Sequence, residues 1–152
     1  MNQQIFIEKR PNDISASALA DLIRRAHSVN IRKGLVYGTS EISDTKMEKT
    51  LLNSVCYVAY IGSEKRVVGT CTITDTELNR WYHHGKAAYI HLIAVDPEYA
   101  GMKIGSKMVE FVTKELRNQG GYQLAYLSTA EKNQAMRHVC DNLGYQLVVC
   151  NI

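Results

Sequence analysis

The chain has 152 residues, of which 45% are hydrophobic and 22% are charged, so it is long enough to bury a core as a single soluble domain over residues 1–152. Its formal net charge of +3 and its scattered basic pairs exclude the dense basic stripe of a nucleic-acid-binding protein, although a mild excess suits a polyanionic cofactor. No apolar run approaches the length that a membrane-spanning helix needs, so we expect no membrane contact.

The cysteines and the first residues bear on the cell compartment. The chain has four cysteines, with no Cys-x-x-Cys pair and no histidine at metal-ligand spacing, which predicts reduced thiols and no metal site. The first ten residues, MNQQIFIEKR, lack the apolar segment of a secretory signal. Together these patterns predict a cytoplasmic protein.

The first elements in chain order are a strand and a helix. Ile5 and Ile7 alternate with polar residues, which is typical of a short strand, and Pro11 stops it. Asp13 or Ser15 then caps a helix. The apolar stripe of this helix has the i, i+3, i+4, i+7 spacing and consists of Leu19, Leu22, Ile23 and Ala26.

The next segment combines a loop, a short helix and a hairpin. Residues 30–43 contain two glycines and no clear period, so they are predicted to form a loop. Thr45 and Glu48 have the spacing of a capping box and predict a second helix. The runs 55–61 and 67–74 are rich in β-branched and aromatic residues, and the turn residues between them predict a hairpin.

The second half of the chain alternates strands with helices. Residues 87–95 form a continuous apolar run, which is typical of a central strand covered on both faces. The apolar period from Lys103 to Asn118 predicts a helix that a glycine pair ends. Residues 122–128 predict another buried strand, a further helix follows, and residues 145–152 predict the last strand.

The order of these elements predicts an α/β fold with a mixed sheet of about six strands and helices on both faces. The last three strands are joined through helices and are expected to be parallel, with right-handed crossovers. The earlier strands are joined by short connections and are expected to be antiparallel.

One connection between a strand and a helix has an unusual composition. The stretch VDPEYAGMKIGSKM, residues 95–108, contains one of the two prolines and two of the ten glycines. At such a corner several backbone N–H groups and a helix N-terminus point outward together, which suits a pyrophosphate. The spacing excludes a Walker A loop, and Gly-x-Gly-x-x-Gly is absent. The alternative interpretation is that the glycines only allow a tight turn.

The same stretch resembles motif A of the GNAT superfamily of N-acetyltransferases, usually written V-x-P-x-x-R/Q-G-x-G-x-G/A. Val95, Pro97, Gly101 and Gly105 match it. Residues 127–145, LSTAEKNQAMRHVCDNLGY, are similar to motif B of that superfamily. Its matching positions are Asn133, Gly144 and Tyr145. The order of the elements agrees as well, so the resemblance covers nearly the whole chain.

The chain also departs from the family pattern. Ala100 stands where Arg or Gln is common, and Lys103 stands where the loop usually has its middle glycine. Cys140 replaces a tyrosine that often protonates the leaving thiolate. Only eight residues follow Gly144, so we expect the family's seventh strand to be missing. The last strand then pairs directly with the fifth, or a strand of a second copy fills the gap and makes a homodimer.

The resemblance implies transfer of an acetyl group from acetyl-CoA to a primary amine of a small molecule or a protein. The alternative is an acyl-CoA-binding or regulatory module with the same fold and no catalysis. The fourth strand is expected to splay from the fifth, so that the cofactor contacts its open edge and the glycine loop. The implied cofactor-binding residues are Ile93, Ala94, Val95, Ala100, Gly101, Met102, Lys103, Ile104, Gly105, Ser106 and Asn133.

His91 and Cys140 are the predicted catalytic residues. Strict alternation would place His91 on one face of its strand with Tyr89, Ile93 and Val95. A histidine, with its ordinary pKa of about 6.5, suits a general base, although it is equally compatible with a partly buried core histidine. Cys140 aligns with the family's acid, or it only packs in its helix. Weaker candidates for the base, predicted to follow the third strand, are Asp75 and Glu77.

Overall fold

The computed structural model describes residues 4–32, 42–62, 66–80, 83–127 and 134–145. Five strands in this part of the chain form one sheet in the order β1-β2-β3-β4-β5. The first four strands are antiparallel neighbours, and β4 pairs with β5 in parallel, which confirms the predicted mixed sheet. The elements are β1 (Ile5–Lys9), α1 (Ala16–Arg32), α2 (Asp44–Leu52), β2 (Ser54–Ile61), β3 (Arg66–Arg80), β4 (His83–Val95), a 3-10 turn (Pro97–Tyr99), α3 (Ile104–Gln119), β5 (Tyr122–Tyr126) and α4 (Gln134–Asn142).

Helix α1 follows its sequence pattern at the start and exceeds it at the end. The Ser15 hydroxyl oxygen accepts a hydrogen bond from the Ala18 N–H at 3.1 Å, so Ser15 caps the helix. All four residues of the predicted apolar stripe are buried. The helix continues to Arg32, so the loop predicted from residue 30 is wrong over its first three residues. Residues 33–41 of that loop lie outside the described ranges.

Helix α2 begins earlier than its predicted capping box. Its N-cap is Ser43, whose hydroxyl accepts from the Lys46 N–H at 3.1 Å. Thr45 therefore lies inside the helix, and the predicted Thr45–Glu48 capping box is wrong. Both serine and threonine have the required hydroxyl group, so the motif alone does not choose between Ser43 and Thr45.

The central strands are longer than the apolar runs that predicted them. β3 extends to Arg80 and β4 begins at His83, and the two strands pair as far as Arg80 with His83. Backbone hydrogen bonds hold such a two-stranded arm, so its residues need no apolar period. Asp75 and Glu77 consequently lie within β3 and not after it.

Strand β5 is shorter and more exposed than predicted. It ends at Tyr126, and Gln123 and Tyr126 are exposed, so the prediction of a fully buried strand to residue 128 is wrong. Its free edge explains the exposure, because no strand in the described ranges pairs with β5 on the side away from β4. Apart from Tyr145, the predicted last strand, residues 145–152, lies outside those ranges.

Two apolar layers cover the two faces of the sheet. On the face toward α3, strand residues such as Ile73 and Ile90 pack with Ile104, Met108 and Val112 of that helix. We call this side the α3 face. On the opposite side, which we call the α1 face, strands β2 and β4 pack against helices α1 and α2. The strand residues of this layer include Val58, Leu92 and Ala94, and the helix residues include Leu19, Ile23 and Met47. Each large apolar side chain buried in this way contributes about 1.5–3 kcal/mol.

Gly69 allows α3 to lie close to β3. A Cβ atom at this position would lie 2.9 Å from Met108 Sδ and 3.0 Å from Ile104 Cγ2, and both atoms belong to fully buried side chains. We therefore expect Gly69→Ala to destabilise the protein by about 1–3 kcal/mol through overpacking. Urea unfolding followed by circular dichroism measures the change. An unchanged midpoint would show that α3 shifts outward without cost.

In the described part of the chain, no helix is long and apolar enough to cross a membrane.

Candidate active site

Strand β4 contains a bulge beside the predicted catalytic histidine. Thr72 pairs with His91, but Thr70 pairs with Ala94, so β4 has one residue more than β3 across this interval. Leu92 takes the left-handed conformation, with φ of 53°. A non-glycine residue in this region is strained and is found disproportionately at functional sites.

The bulge reverses the alternation of side chains along β4. Ile90 packs on the α3 face, and so do Ile93 and Val95, whereas Leu92 and Ala94 pack on the α1 face. His91 therefore shares its face with Tyr89, as predicted, but not with Ile93 or Val95. That part of the sequence interpretation is wrong because it assumed an uninterrupted strand.

The edge of β4 opens beyond Tyr89. β5 pairs with β4 only from Lys86 to Tyr89, so residues 90–95 have no strand partner on that side within the described ranges. The pairing stops where β5 ends, which is consistent with the predicted splay of the fourth and fifth strands; the splay itself stays a prediction. Ile93, Ala94 and Val95, the predicted cofactor-binding residues of the strand, all lie on this open segment.

The loop between β4 and α3 presents a row of unpaired backbone donors. Gly101 has φ of 89° and Lys103 has φ of 60°, and α3 begins at Ile104 without a side-chain cap. The first helical hydrogen bond is donated by Lys107 N–H to the Lys103 carbonyl. The N–H groups of residues 101–106 have no acceptor among the described residues. Such a row at the positive end of a 16-residue helix suits an anion.

The fold itself does not require glycine at position 105. The backbone of Gly105 is outside the left-handed region, and an added Cβ would make only ordinary contacts, 3.6 Å from Val95 Cγ2 and 4.0 Å from Met136 Cε. The chain itself therefore tolerates a side chain here. Gly101 differs, because its positive φ favours glycine whatever the surroundings. Because the fold does not require glycine here, the glycine is left to be explained by a ligand, and close approach of a bound phosphate group is such an explanation.

Lys103 is strained in the position where the family usually has glycine. A left-handed conformation costs a residue with a Cβ roughly 1–2 kcal/mol, and the side chain of Lys103 is exposed. Lys103 adds a positive charge within the row of N–H groups. Ala100, also exposed, adds no polar group.

Asp96 anchors the loop to the rest of the fold, and sequence reasoning missed it. The side chain is only 2% exposed. One carboxylate oxygen accepts from the Glu98 N–H at 3.0 Å, and the other accepts from the Arg25 guanidinium of α1 at 3.1 Å. Arg66 lies 3.8 Å from the same oxygen. The signal was an aspartate directly before a proline, a common start for a helical turn.

His91 is held on the α1 face by a hydrogen bond and a ring stack. Its Nε2 atom lies 2.7 Å from the Thr74 hydroxyl, and its ring stacks on Tyr89 at a centroid distance of 4.5 Å. Tyr89 in turn stacks on Tyr126 at 4.8 Å. Burial lowers the pKa of His91 below its usual 6.5, because an imidazolium loses hydration there. The ring is therefore neutral at pH 7 and able to accept a proton.

Asp75 is placed and paired away from His91. It lies on the α3 face, where its carboxylate accepts from the Tyr122 hydroxyl at 2.7 Å and pairs with Lys86 at 2.9 Å. Burial alone would raise the pKa of Asp75, but the hydrogen bonds and the charge of Lys86 lower it overall. The contacts tie β3, β4 and β5 together and leave Asp75 a poor base. The side chain of Glu77 lies outside the described part.

Cys140 and Tyr145 lie on the α3 side of the sheet, opposite to His91. α4 packs on α3, and the Tyr145 hydroxyl lies 2.9 Å from the Thr113 hydroxyl of that helix. Burial, and to a lesser extent Asp141, raises the pKa of the half-buried Cys140 thiol. The two predicted catalytic residues are thus on different faces of the sheet. Asn133 lies outside the described ranges.

The comparisons with known proteins agree with this architecture. The family model for the acetyltransferase (GNAT) family matches residues 18–145, while no curated protein matches the chain. Similar folds include glucosamine-6-phosphate N-acetyltransferase from Arabidopsis thaliana, 16% identical, with a TM-score of 0.65 and 98% of each chain covered. A predicted acetyltransferase with acetyl-CoA from Clostridium acetobutylicum is 17% identical, with a TM-score of 0.69 over 95% of this chain and 92% of that one. A transcriptional regulator from Bacillus halodurans is 19% identical, with a TM-score of 0.71 over 98% and 97%.

Proposed function

This chain belongs to the acetyltransferase (GNAT) family, and we propose that it transfers the acetyl group of acetyl-CoA to a primary amine of a small molecule or a protein. Acetyl-CoA is the acetyl donor of the family. The observation that carries the proposal is the row of N–H groups at residues 101–106, which have no acceptor among the described residues, beside the segment of β4 that no described strand pairs with on its β5 side. A loop that only turned the chain would need neither feature.

The chain offers two kinds of contact for the cofactor. The N–H groups from Gly101 to Ser106 would hold the pyrophosphate, with the charge of Lys103 beside them. The open backbone of residues 93–95 would pair with the amide groups of the pantetheine arm, as an added strand would. Bound acetyl-CoA supplies the acetyl group as an activated thioester. Asn133, which matches the family motif, is a further proposed contact.

His91 is the proposed base and Cys140 the proposed proton donor. An amine attacks only after it has lost its proton, so a neutral imidazole near the acceptor is useful at pH 7. His91 is neutral there because burial lowers its pKa. The thiol of Cys140 keeps its proton at pH 7 because burial raises its pKa. His91 lies on the α1 face and Cys140 on the α3 side of the sheet. The open segment of β4 lies between them and is the proposed place of reaction.

The family match does not favour the non-catalytic alternative. Despite the departures at Ala100 and Lys103, the N–H groups of residues 101–106 have no acceptor within the described ranges, which supports a working cofactor loop. The pattern of reduced cysteines supports a cytoplasmic location.

Calorimetric titration of the protein with acetyl-CoA tests the proposal, followed by a panel of amines in an assay that detects release of the CoA thiol. We expect micromolar affinity and turnover with at least one amine. Desulfo-CoA serves as the control for binding without an acetyl group. Absence of binding at millimolar acetyl-CoA would contradict the proposal, and binding without turnover on any amine would revive the regulatory module.

His91→Gln is expected to lower kcat with a responsive amine by about 10²–10⁴-fold, the usual contribution of a general base, with unchanged affinity for acetyl-CoA. In the wild-type protein the contribution of His91 should be lost as the pH falls through its lowered pKa, that is, below 6.5. The pH profile of kcat/KM measures this. His138→Gln, at an exposed position of α4, is the matched control. Equal activity of the two variants would assign His91 to packing.

A further inference from the structure

Three polar side chains form a continuous hydrogen-bonded chain that ends at His91. The Thr74 hydroxyl lies 2.7 Å from His91 Nε2 and 2.6 Å from the Ser54 hydroxyl. The three residues come from β4, β3 and β2, and each is partly buried on the α1 face. The proposed function uses only His91 and leaves the two hydroxyl groups unexplained.

The chemistry of a hydroxyl group makes this chain directional. A threonine hydroxyl has one proton to donate and two lone pairs to accept with. In one direction of the chain, His91 Nε2–H donates to Thr74 and Thr74 donates to Ser54, so that Nδ1 keeps a free lone pair. In the opposite sense, Ser54 donates to Thr74 and Thr74 donates to Nε2, so that the proton of the neutral ring is on Nδ1.

The other ring nitrogen of His91 is not part of the hydroxyl chain. Nδ1 has no hydrogen-bond partner within the described ranges. In that part of the chain the only fully buried side-chain nitrogen or oxygen without a partner is Thr72 Oγ1, so Nδ1 is not sealed in the core. Stacking on Tyr89 keeps the ring plane fixed. An acceptor amine would therefore meet Nδ1, and the hydroxyl chain would meet Nε2.

We propose that Thr74 and Ser54 are positioning residues that hold neutral His91 with its proton on Nε2 and its lone pair on Nδ1, and that they carry a proton away during turnover. This inference rests on the proposed function. Nδ1 takes the proton of the amine, Nε2 gives its proton to the Thr74 oxygen, Thr74 gives its own to the Ser54 oxygen, and Ser54 releases one to water. The net change is one proton moved from the amine to solvent. Return of a proton through Ser54, with loss of the Nδ1 proton to water, restores the starting state.

Nitrogen-15 NMR of the histidine rings tests this without an acceptor amine. His91 is assigned with His91→Gln, and its tautomer and pKa are followed by pH titration. We expect the neutral wild-type ring to carry its proton on Nε2. In Thr74→Val the charged ring loses its hydrogen-bond acceptor, so its pKa should fall by about 0.5–1 unit and the tautomers should mix.

Two further variants distinguish a specific role from a general disturbance. Thr74→Ser keeps the hydroxyl and should restore the tautomer and the pKa. Thr76→Val removes a hydroxyl from the same face of β3, two residues along, where it contacts Tyr126 and the Ala87 carbonyl, and should leave His91 unchanged. With a responsive amine, we expect Thr74→Val to lower kcat about tenfold without changing KM, as loss of an orienting partner does.

The inference is overturned if the neutral wild-type ring carries its proton on Nδ1, or if Thr74→Val leaves both its tautomer and its pKa unchanged. Titration of the same samples with acetyl-CoA reports separately on the proposed function. Intact NMR behaviour without acetyl-CoA binding would contradict acetyl transfer and the proton transfer during turnover, and would leave only the tautomer assignment standing. Binding with an unresponsive His91 would contradict the positioning role alone.

Discussion

Gly105→Glu is expected to reduce acetyl-CoA affinity by a hundredfold or more while the protein stays folded. The substitution would add a negative charge within the segment 101–106, whose N–H groups have no acceptor among the described residues. This charge would repel the phosphates, and like charges placed together in an interface cost several kcal/mol. Stability should change little, because the first Cβ contacts at this position are at ordinary distances. Calorimetric titration and a thermal melt of the same sample measure both quantities.

Gly105→Ala is the matched control. A single methyl group fits the chain at this position, and replacing a helical glycine by alanine stabilises by up to about 1 kcal/mol. Its acetyl-CoA affinity should lie between those of the wild type and Gly105→Glu. If Gly105→Glu bound acetyl-CoA as tightly as the wild-type protein, the cofactor loop would have been assigned to the wrong segment.

Arg25→Ala is expected to destabilise the protein by about 2–4 kcal/mol, although Arg25 itself is 46% exposed. The cost arises at its partner. Asp96 is almost fully buried and would keep only the Glu98 N–H and the more distant Arg66. A buried carboxylate that loses its charged partner is strongly destabilising. Urea unfolding at pH 7 gives the free-energy difference.

The control uses the second partner of the same arginine. Asp21 pairs with Arg25 at 2.9 Å but is 58% exposed, so Asp21→Ala should cost less than about 1 kcal/mol. A loss below 1 kcal/mol in Arg25→Ala as well would show that Arg66 and water stabilise Asp96 unaided. In that case α1 would not anchor the cofactor loop.

Local sequence patterns predicted most of the fold, because the side of a helix or strand that is buried depends mainly on the spacing of its own apolar residues. The alternation at Ile5 and Ile7, the stripe of α1 and the apolar run before Val95 each indicate which side of an element is buried. The loop after Val95 was predicted from its glycines and its motif, and the unpaired N–H groups agree with that prediction. The contacts of the loop residues with acetyl-CoA stay predictions.

Features that depend on a neighbouring strand could not be predicted from local sequence patterns. The bulge at Leu92 follows from the pairing of β4 with β3, and leucine is a residue that disfavours a left-handed backbone. The extensions of β3 and β4 consist largely of polar residues, which give no apolar alternation. They are strands because their backbones pair with each other. The bond between Thr74 and His91 joins residues 17 positions apart, and neither residue indicates the other.

Because of the bulge, the backbone of β4 could change shape without a change in which of its other side chains are buried. Since His91 and Leu92 lie on the same side of the sheet, a chain without Leu92 would still direct Ile93 and Val95 toward α3 and Ala94 toward α1. Such a deletion would remove the buried Leu92 side chain, keep the directions of the remaining side chains, and straighten the backbone beside the opening. Insertions and deletions at this one position are thus a way for evolution, or for protein design, to remodel the free edge of the strand while the rest of the fold is inherited unchanged.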